Sequence, residues 1–205
     1  LEVVQAPTFP DLDSTVLFRY DKVNRFENGD LKLELPVGCI YDNLNFTYKK
    51  APGNKATFSD IHYLHNAEVP LHNRMKVSIK ATKLPPRLRS KALLVRVDRT
   101  GKRSPADGSY ENGWVTATTN LFDGYAIAVD TVAPVIKPWP ENKKKNKTSL
   151  RFAVSDNLSG IESYRGELNG KWVLVEWDPK NRLMIYQFDF MTQPGTNTFT
   201  LFLED

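Results

Sequence analysis

Hydrophobic and polar residues alternate along most of this chain with a period of two. Leu31, Leu33 and Leu35 are separated by Lys32 and Glu34; Leu44, Phe46 and Tyr48 by Asn45 and Thr47; Met75, Val77 and Ile79 by Lys76 and Ser78. Leu93, Val95 and Val97 surround Leu94 and Arg96. The second half repeats the pattern at Leu150, Phe152 and Val154, at Met184, Tyr186 and Phe188, and at Phe199, Leu201 and Leu203. Successive side chains on a strand point to opposite faces, so each run predicts a strand with one buried and one wet face. Runs this short, divided by Gly, Pro and Asn, are those of antiparallel sheets. The expected fold class is all-β, two Ig-like antiparallel β-sandwich domains in tandem.

The stretch from Phe122 to Ile136 marks where one domain gives way to the next. Tyr125, Ile127 and Val129 alternate with Ala126 and Ala128 as in a half-buried strand; Asp130-Thr131 break the run, and Val135-Ile136 begin another. The boundary is expected at residues 1–132 for a larger sandwich with an irregular N-terminal segment, and 133–205 for a second, cut short of a final strand. Both ends of the chain read as cuts in a longer protein. Pro134 leaves little freedom at the crossing, and Trp139 just beyond it is expected to be buried or half-buried. The one helical candidate is a single turn in Leu84–Lys91, begun by proline.

Asn169-Gly170 predicts a type I′ hairpin, because that pair tolerates positive φ at both central positions. Counting outward pairs Leu168 with Lys171, Gly166 with Val173, Tyr164 with Val175 and Glu162 with Trp177 on the more apolar face. The other face pairs Glu167 with Trp172, Arg165 with Leu174 and Ser163 with Glu176. Trp172 is therefore expected to point outward and Trp177 inward. A bulge near Gly166 would reverse this.

Composition adds bounds. Eleven Phe, 8 Tyr and 4 Trp supply enough apolar volume for packed cores. No apolar run reaches the length of a membrane-spanning helix. The net charge of +4 comes from interleaved signs, unlike the concentrated charge of a nucleic-acid binder. The dense run Lys143–Lys147 reads as a solvated loop tip. Cys39 has no partner for a disulfide and no neighbouring base to activate it.

Candidate chemistry is thin. His62, His65 and His72 are the only histidines. On an extended strand His62 and His65 face opposite ways, which does not suit tetrahedral zinc, so they read as polar loop residues. Asp156, Asn157, Ser159 and Glu162 fall short of the oxygens calcium needs and read as an Asx turn. The acid pairs Asp11/Asp13 and Glu162/Glu167 read as solubilising charges. Trp172 and Trp177, five apart on one strand, lie on opposite faces and make no two-ring platform. No catalytic residue, metal ligand or cofactor is expected. The candidate binding residues are Trp172, Arg165 and Leu174 on the outward face of the hairpin.

Several segments together resemble a known arrangement: Phe58–Tyr63, Val69–His72, Gly108–Ala117, the junction from Gly124 to Ile136, Val154–Gly166 and Asn169–Leu174. They are similar to the C-terminal, non-catalytic β-sandwich region of bacterial envelope lysostaphin/LytM-type zinc metallopeptidases, over about Phe18–Asp205. The resemblance implies a non-catalytic accessory region, structural or substrate-positioning, of a secreted or periplasmic cell-wall protein. Its expected partners are a cell-wall polymer or an adjacent peptidase domain of the same protein. That family's zinc motifs, His-x-x-x-Asp and His-x-His, do not occur in this chain, so the chain itself is not expected to be an enzyme. A carbohydrate-binding or adhesive module of an envelope protein is the alternative.

Overall fold

Alternation becomes structure when apolar rows of neighbouring strands coincide, and the register does this throughout. The computed structural model describes residues 15–140 and 148–205. The irregular N-terminal segment, the Asp11/Asp13 pair and the Lys143–Lys147 run lie outside the described residues. The described residues are nearly all β, in antiparallel sheets. They divide after Asp130 into two units, two residues from the expected boundary.

In the first unit, one sheet has the order β1-β4-β5-β11-β7-β8: β1 (Thr15–Phe18), β4 (Leu44–Ala51), β5 (Ile61–Leu64), β11 (Gly124–Val129), β7 (Ala92–Val97) and β8 (Arg103–Pro105). The other is β2-β3-β6-β10-β9: β2 (Asn24–Asn28), β3 (Leu31–Leu35), β6 (Pro70–Lys80), β10 (Trp114–Leu121) and β9 (Ser109–Glu111). Leu31 pairs with Ile79 and Leu33 with Val77, while Val115 pairs with Ile79 and Ala117 with Val77. These apolar rows meet Phe18, Phe46, Leu64, Leu94, Tyr125 and Ile127 of the first sheet in one core. Phe18 and Phe46 stack at 4.5 Å between ring centroids. The predicted single turn is a 3-10 helix, Pro86–Lys91, with proline at its start.

One expectation about this unit is corrected. The strand at Tyr125–Val129 is not half-buried: Ala126 and Ala128 are as deeply buried as Tyr125 and Ile127. On β7, Leu94 faces the shared core, and Leu93, Val95 and Val97 on the other face are buried too. Gly124 is required where β11 is most crowded, because a Cβ there would collide with the Val97 carbonyl and the Tyr63 ring.

The second unit has a four-stranded sheet, β12-β13-β17-β16, and a three-stranded one, β15-β14-β18. The strands are β12 (Val135–Pro138), β13 (Ser149–Ser155), β14 (Ser163–Leu168), β15 (Lys171–Val173), β16 (Glu176–Asp178), β17 (Leu183–Gln187) and β18 (Phe199–Glu204). Val154, Leu168, Val173, Val175, Met184 and Tyr186 form its core. Phe199 stacks on both Phe152 and Tyr186, each at 5.3 Å.

The hairpin follows the expected register only near its turn. Leu168 pairs with Lys171, Glu167 with Trp172 and Gly166 with Val173, and Asn169 and Gly170 have φ of 51° and 78°. Beyond Val173 the chain leaves this sheet. Glu176–Asp178 pairs with β17 in the opposite sheet, so the expected pairings of Tyr164, Glu162, Arg165 and Ser163 with residues 174–177 do not form. Trp172 and Trp177 thus stand on different strands in different sheets, rather than on one. Trp177 still packs half-buried against the core. Trp139 is 37% exposed, more open than expected.

Candidate functional site

The hairpin presents two of the predicted binding residues, Trp172 and Arg165, on the wet face of the three-stranded sheet, whereas Leu174 does not pair opposite Arg165 as expected. Gly166 and Leu168 point inward, which turns Ser163, Arg165 and Glu167 outward on β14. Pairing places Trp172 and Thr200 on either side of Glu167, Phe202 beside Arg165, and Glu204 beside Ser163. Trp172 is 60% exposed and Phe202 50%. Leu174, 64% exposed, lies just past the end of β15. The expected outward Trp172 is therefore observed, and a strand-flipping bulge at Gly166 is not.

Charge occupies the middle of this face. The Arg165 Nε donates to Glu167 Oε1 at 2.7 Å, and the Ser163 hydroxyl donates to Glu204 Oε2 at 2.8 Å. Between them runs a groove of about 380 Å³, bordered by Tyr164, Arg165, Glu167, Phe202 and Glu204. The arrangement offers flat apolar rings beside paired donors and acceptors. Rings of this kind present large rigid contact area, and the charged groups supply orientation.

The hairpin turn that aims Trp172 is itself fastened. Asn169 N–H donates to the Thr198 carbonyl at 2.8 Å, and Thr198 N–H donates to Asn169 Oδ1 at 2.9 Å. Asn169 Nδ2 donates to Asn197 Oδ1 at 2.9 Å.

Phe202 belongs to this site although sequence reasoning did not single it out, and Glu167, expected beside Trp172 as a solubilising charge, is instead paired with Arg165. The signal was present: Phe199, Leu201 and Leu203 form the inward row, so Phe202 between them is a large ring at a wet position.

The three histidines are held apart, each by a different hydroxyl. His62 Nδ1 lies 2.8 Å from Tyr48 Oη, His65 Nδ1 3.1 Å from Thr47 Oγ1, and His72 Nδ1 3.4 Å from Tyr41 Oη. His62 is not a loop residue: it sits on β5 at 1% exposure. Burial, with a smaller contribution from the Lys50 ammonium, lowers its pKa to about 4. The same ammonium bridges Asp30 and Asp60 at 3.0 and 3.2 Å. Lys83, first, and Lys50 hold Asp60 down at about 2. Cys39 is buried, its thiol donating to the Asn73 carbonyl at 3.3 Å, and burial raises its pKa. Asp156 forms the Asx turn, its Oδ2 accepting from the Leu158 and Gly160 amides at 2.8 Å each.

Comparison with protein families gives one match. The family model of the Zu5-like domain covers residues 15–130, which is the described extent of the first unit, and the chain belongs to that family. Comparison with curated proteins and with solved structures returned no match.

Proposed function

We propose that this member of the Zu5-like domain family is a non-catalytic, substrate-positioning region of a secreted or periplasmic cell-wall protein. In this reading a zinc peptidase domain elsewhere in the same protein performs the chemistry, and the second unit holds the wall polymer. The observation that carries the proposal is the wet face of β15-β14-β18. Trp172 and Phe202 are rings kept in water, Trp172 beside Glu167 and Phe202 beside Arg165, and the Arg165–Glu167 pair and Phe202 border a groove. Contact sites favour this combination of Trp and Arg. A groove of this size holds a sugar ring. The segments resembling the accessory regions of cell-wall peptidases support the location.

The test is sedimentation of the chain with purified, insoluble peptidoglycan, paired with an assay for released wall fragments. The expected result is saturable binding without hydrolysis. Binding should weaken about tenfold or more in a Trp172→Ala, Phe202→Ala double variant whose unfolding is otherwise normal. Failure to sediment, or hydrolysis by this chain alone, overturns the proposal. The same face supports a second reading, a carbohydrate-binding or adhesive module with no peptidase partner. Equal affinity for glycan strands stripped of their peptides favours that one.

A further inference from the structure

The first unit opens a second cleft, polar and also about 380 Å³. It lies in a different unit from the groove above and owes nothing to that reading. Ladder register puts Arg96 beside Tyr125 on one sheet. On the other sheet Thr119 pairs with Met75. Tyr125 is fully buried. Its hydroxyl donates to the Leu121 carbonyl at 2.7 Å and sits 2.9 Å from Thr119 Oγ1. The floor of the cleft is therefore locked by the protein's own hydrogen bonds.

The wall of the cleft is made by a break in pairing. The β6–β10 ladder passes from Thr119↔Met75 to Leu121↔Pro70, so residues 71–74 stand against Asn120 alone. A bulge takes side chains out of alternation and re-aims them; here Arg74 and Asn120 both line the cleft. Asp107, in a left-handed conformation at φ 57°, and Thr118 line it as well.

The two guanidinium groups are committed to different degrees. Arg96 uses its Nε on Ser104 Oγ at 3.2 Å and faces Asp123 Oδ2 at 3.6 Å. Its terminal nitrogens have no such bond among the described residues. Arg74 has no hydrogen bond or ion pair to another described residue. Asp123 offsets the charge of Arg96, which leaves Arg74 as the cation of the lining with no ion pair among the described residues, and guanidinium binds carboxylate through paired N–H bonds. Asp107 opposes a dianion such as phosphate. It suits a ligand that carries its own donor beside the charge.

We propose that this cleft binds a small monocarboxylate bearing a hydroxyl or amide N–H next to the carboxylate. Arg74 and Arg96 take the carboxylate, and Asp107 and Asn120 take the neighbouring donor. Two sources supply this chemistry, a sugar acid and the carboxyl end of a peptide.

The experiment is an NMR titration of the full chain with D-glucuronate, with N-acetylalanine and with inorganic phosphate. Saturable shifts at Ala106, Thr118 and Asn120 with glucuronate assign a sugar acid, and with N-acetylalanine a peptide end. Arg74→Glu should weaken that binding about tenfold or more, the scale of one charge-assisted hydrogen bond. It should leave the melting temperature in place, because Arg74 is exposed. Lys171→Glu, in the other unit, should leave binding unchanged. The proposal is overturned if neither carboxylate gives saturable shifts, if phosphate binds as tightly, or if Arg74→Glu has no effect.

Discussion

The two units bury different shares of their rings. In the first, Phe18, Phe46, Tyr48, Phe122 and Tyr125 are all buried, and even a histidine is inside. In the second, Tyr186 is the one aromatic fully withdrawn from water among the described residues. Phe152, Trp177, Phe188 and Phe199 are half-buried around it, and Trp172, Phe190 and Phe202 are exposed. Size explains part of this, since a smaller domain encloses a smaller share of its surface. It does not explain why two of the exposed rings, Trp172 and Phe202, share one face beside an ion pair. Monomeric surfaces rarely keep such patches unless something docks there. The first unit buries five of its rings and leaves Tyr20 and Tyr41 exposed; among the described residues the second buries Tyr186 alone.

The comparison breaks most visibly at Tyr186. Its ring stacks on Phe199, and its hydroxyl bonds Asp189 and Thr192 at 2.9 and 3.0 Å. Tyr186→Ala should cost about 3–5 kcal/mol, enough to unfold a small unit with few other buried anchors. Amide exchange should then lose protection over residues 148–205 and retain it over 15–130. Loss across both ranges would show a single cooperative structure and end the contrast.

Acid should act on the first unit instead. The folded pKa of His62, about 4, lies below the ordinary value of 6.5. Between these values the unfolded chain binds the extra proton, so stability falls as pH drops from 6.5 towards 4. The loss from this residue is about 3 kcal/mol at pH 4. His62→Gln should flatten this part of the profile. Urea titrations read by amide exchange in each unit would check it. An equally steep loss confined to the second unit would remove His62 as the cause.

The smallest effect is expected at the most prominent side chain. Trp172→Ala should change stability by less than about 1 kcal/mol, as at other exposed positions. A loss of about 3 kcal/mol or more would mean that the ring is a core residue and that the second unit does not display it.

Much of this could be read before the fold was known. Alternation located the strands, and Asn169-Gly170 specified the turn and the outward direction of Trp172. The exit of the chain after Val173 was hidden for a physical reason. Val173, Val175 and Trp177 keep the same inward alternation whether the chain stays in one sheet or crosses to the other. The pattern reports burial and not the partner strand. Ala126 and Ala128 misled because a small apolar residue suits a wet face as well as a crowded one. His62 reads as polar until Tyr48 of a neighbouring strand is placed against it. The polar cleft left no local trace, since Arg74 and Arg96 meet only through a bulge and the register of two sheets.

The clamp on Asn169 has a chemical consequence. An asparagine followed by glycine is prone to lose its side-chain ammonia when the next backbone nitrogen attacks the amide carbon. Here Thr198 holds the amide oxygen and Asn197 accepts from the amide nitrogen, which keeps the group from swinging into that reaction. Were it to occur, the new carboxylate would face Asn197 Oδ1 with no hydrogen to donate. The turn that aims Trp172 would be loosened at its root. The shelf life of the Trp172 face is thus tied to a single amide.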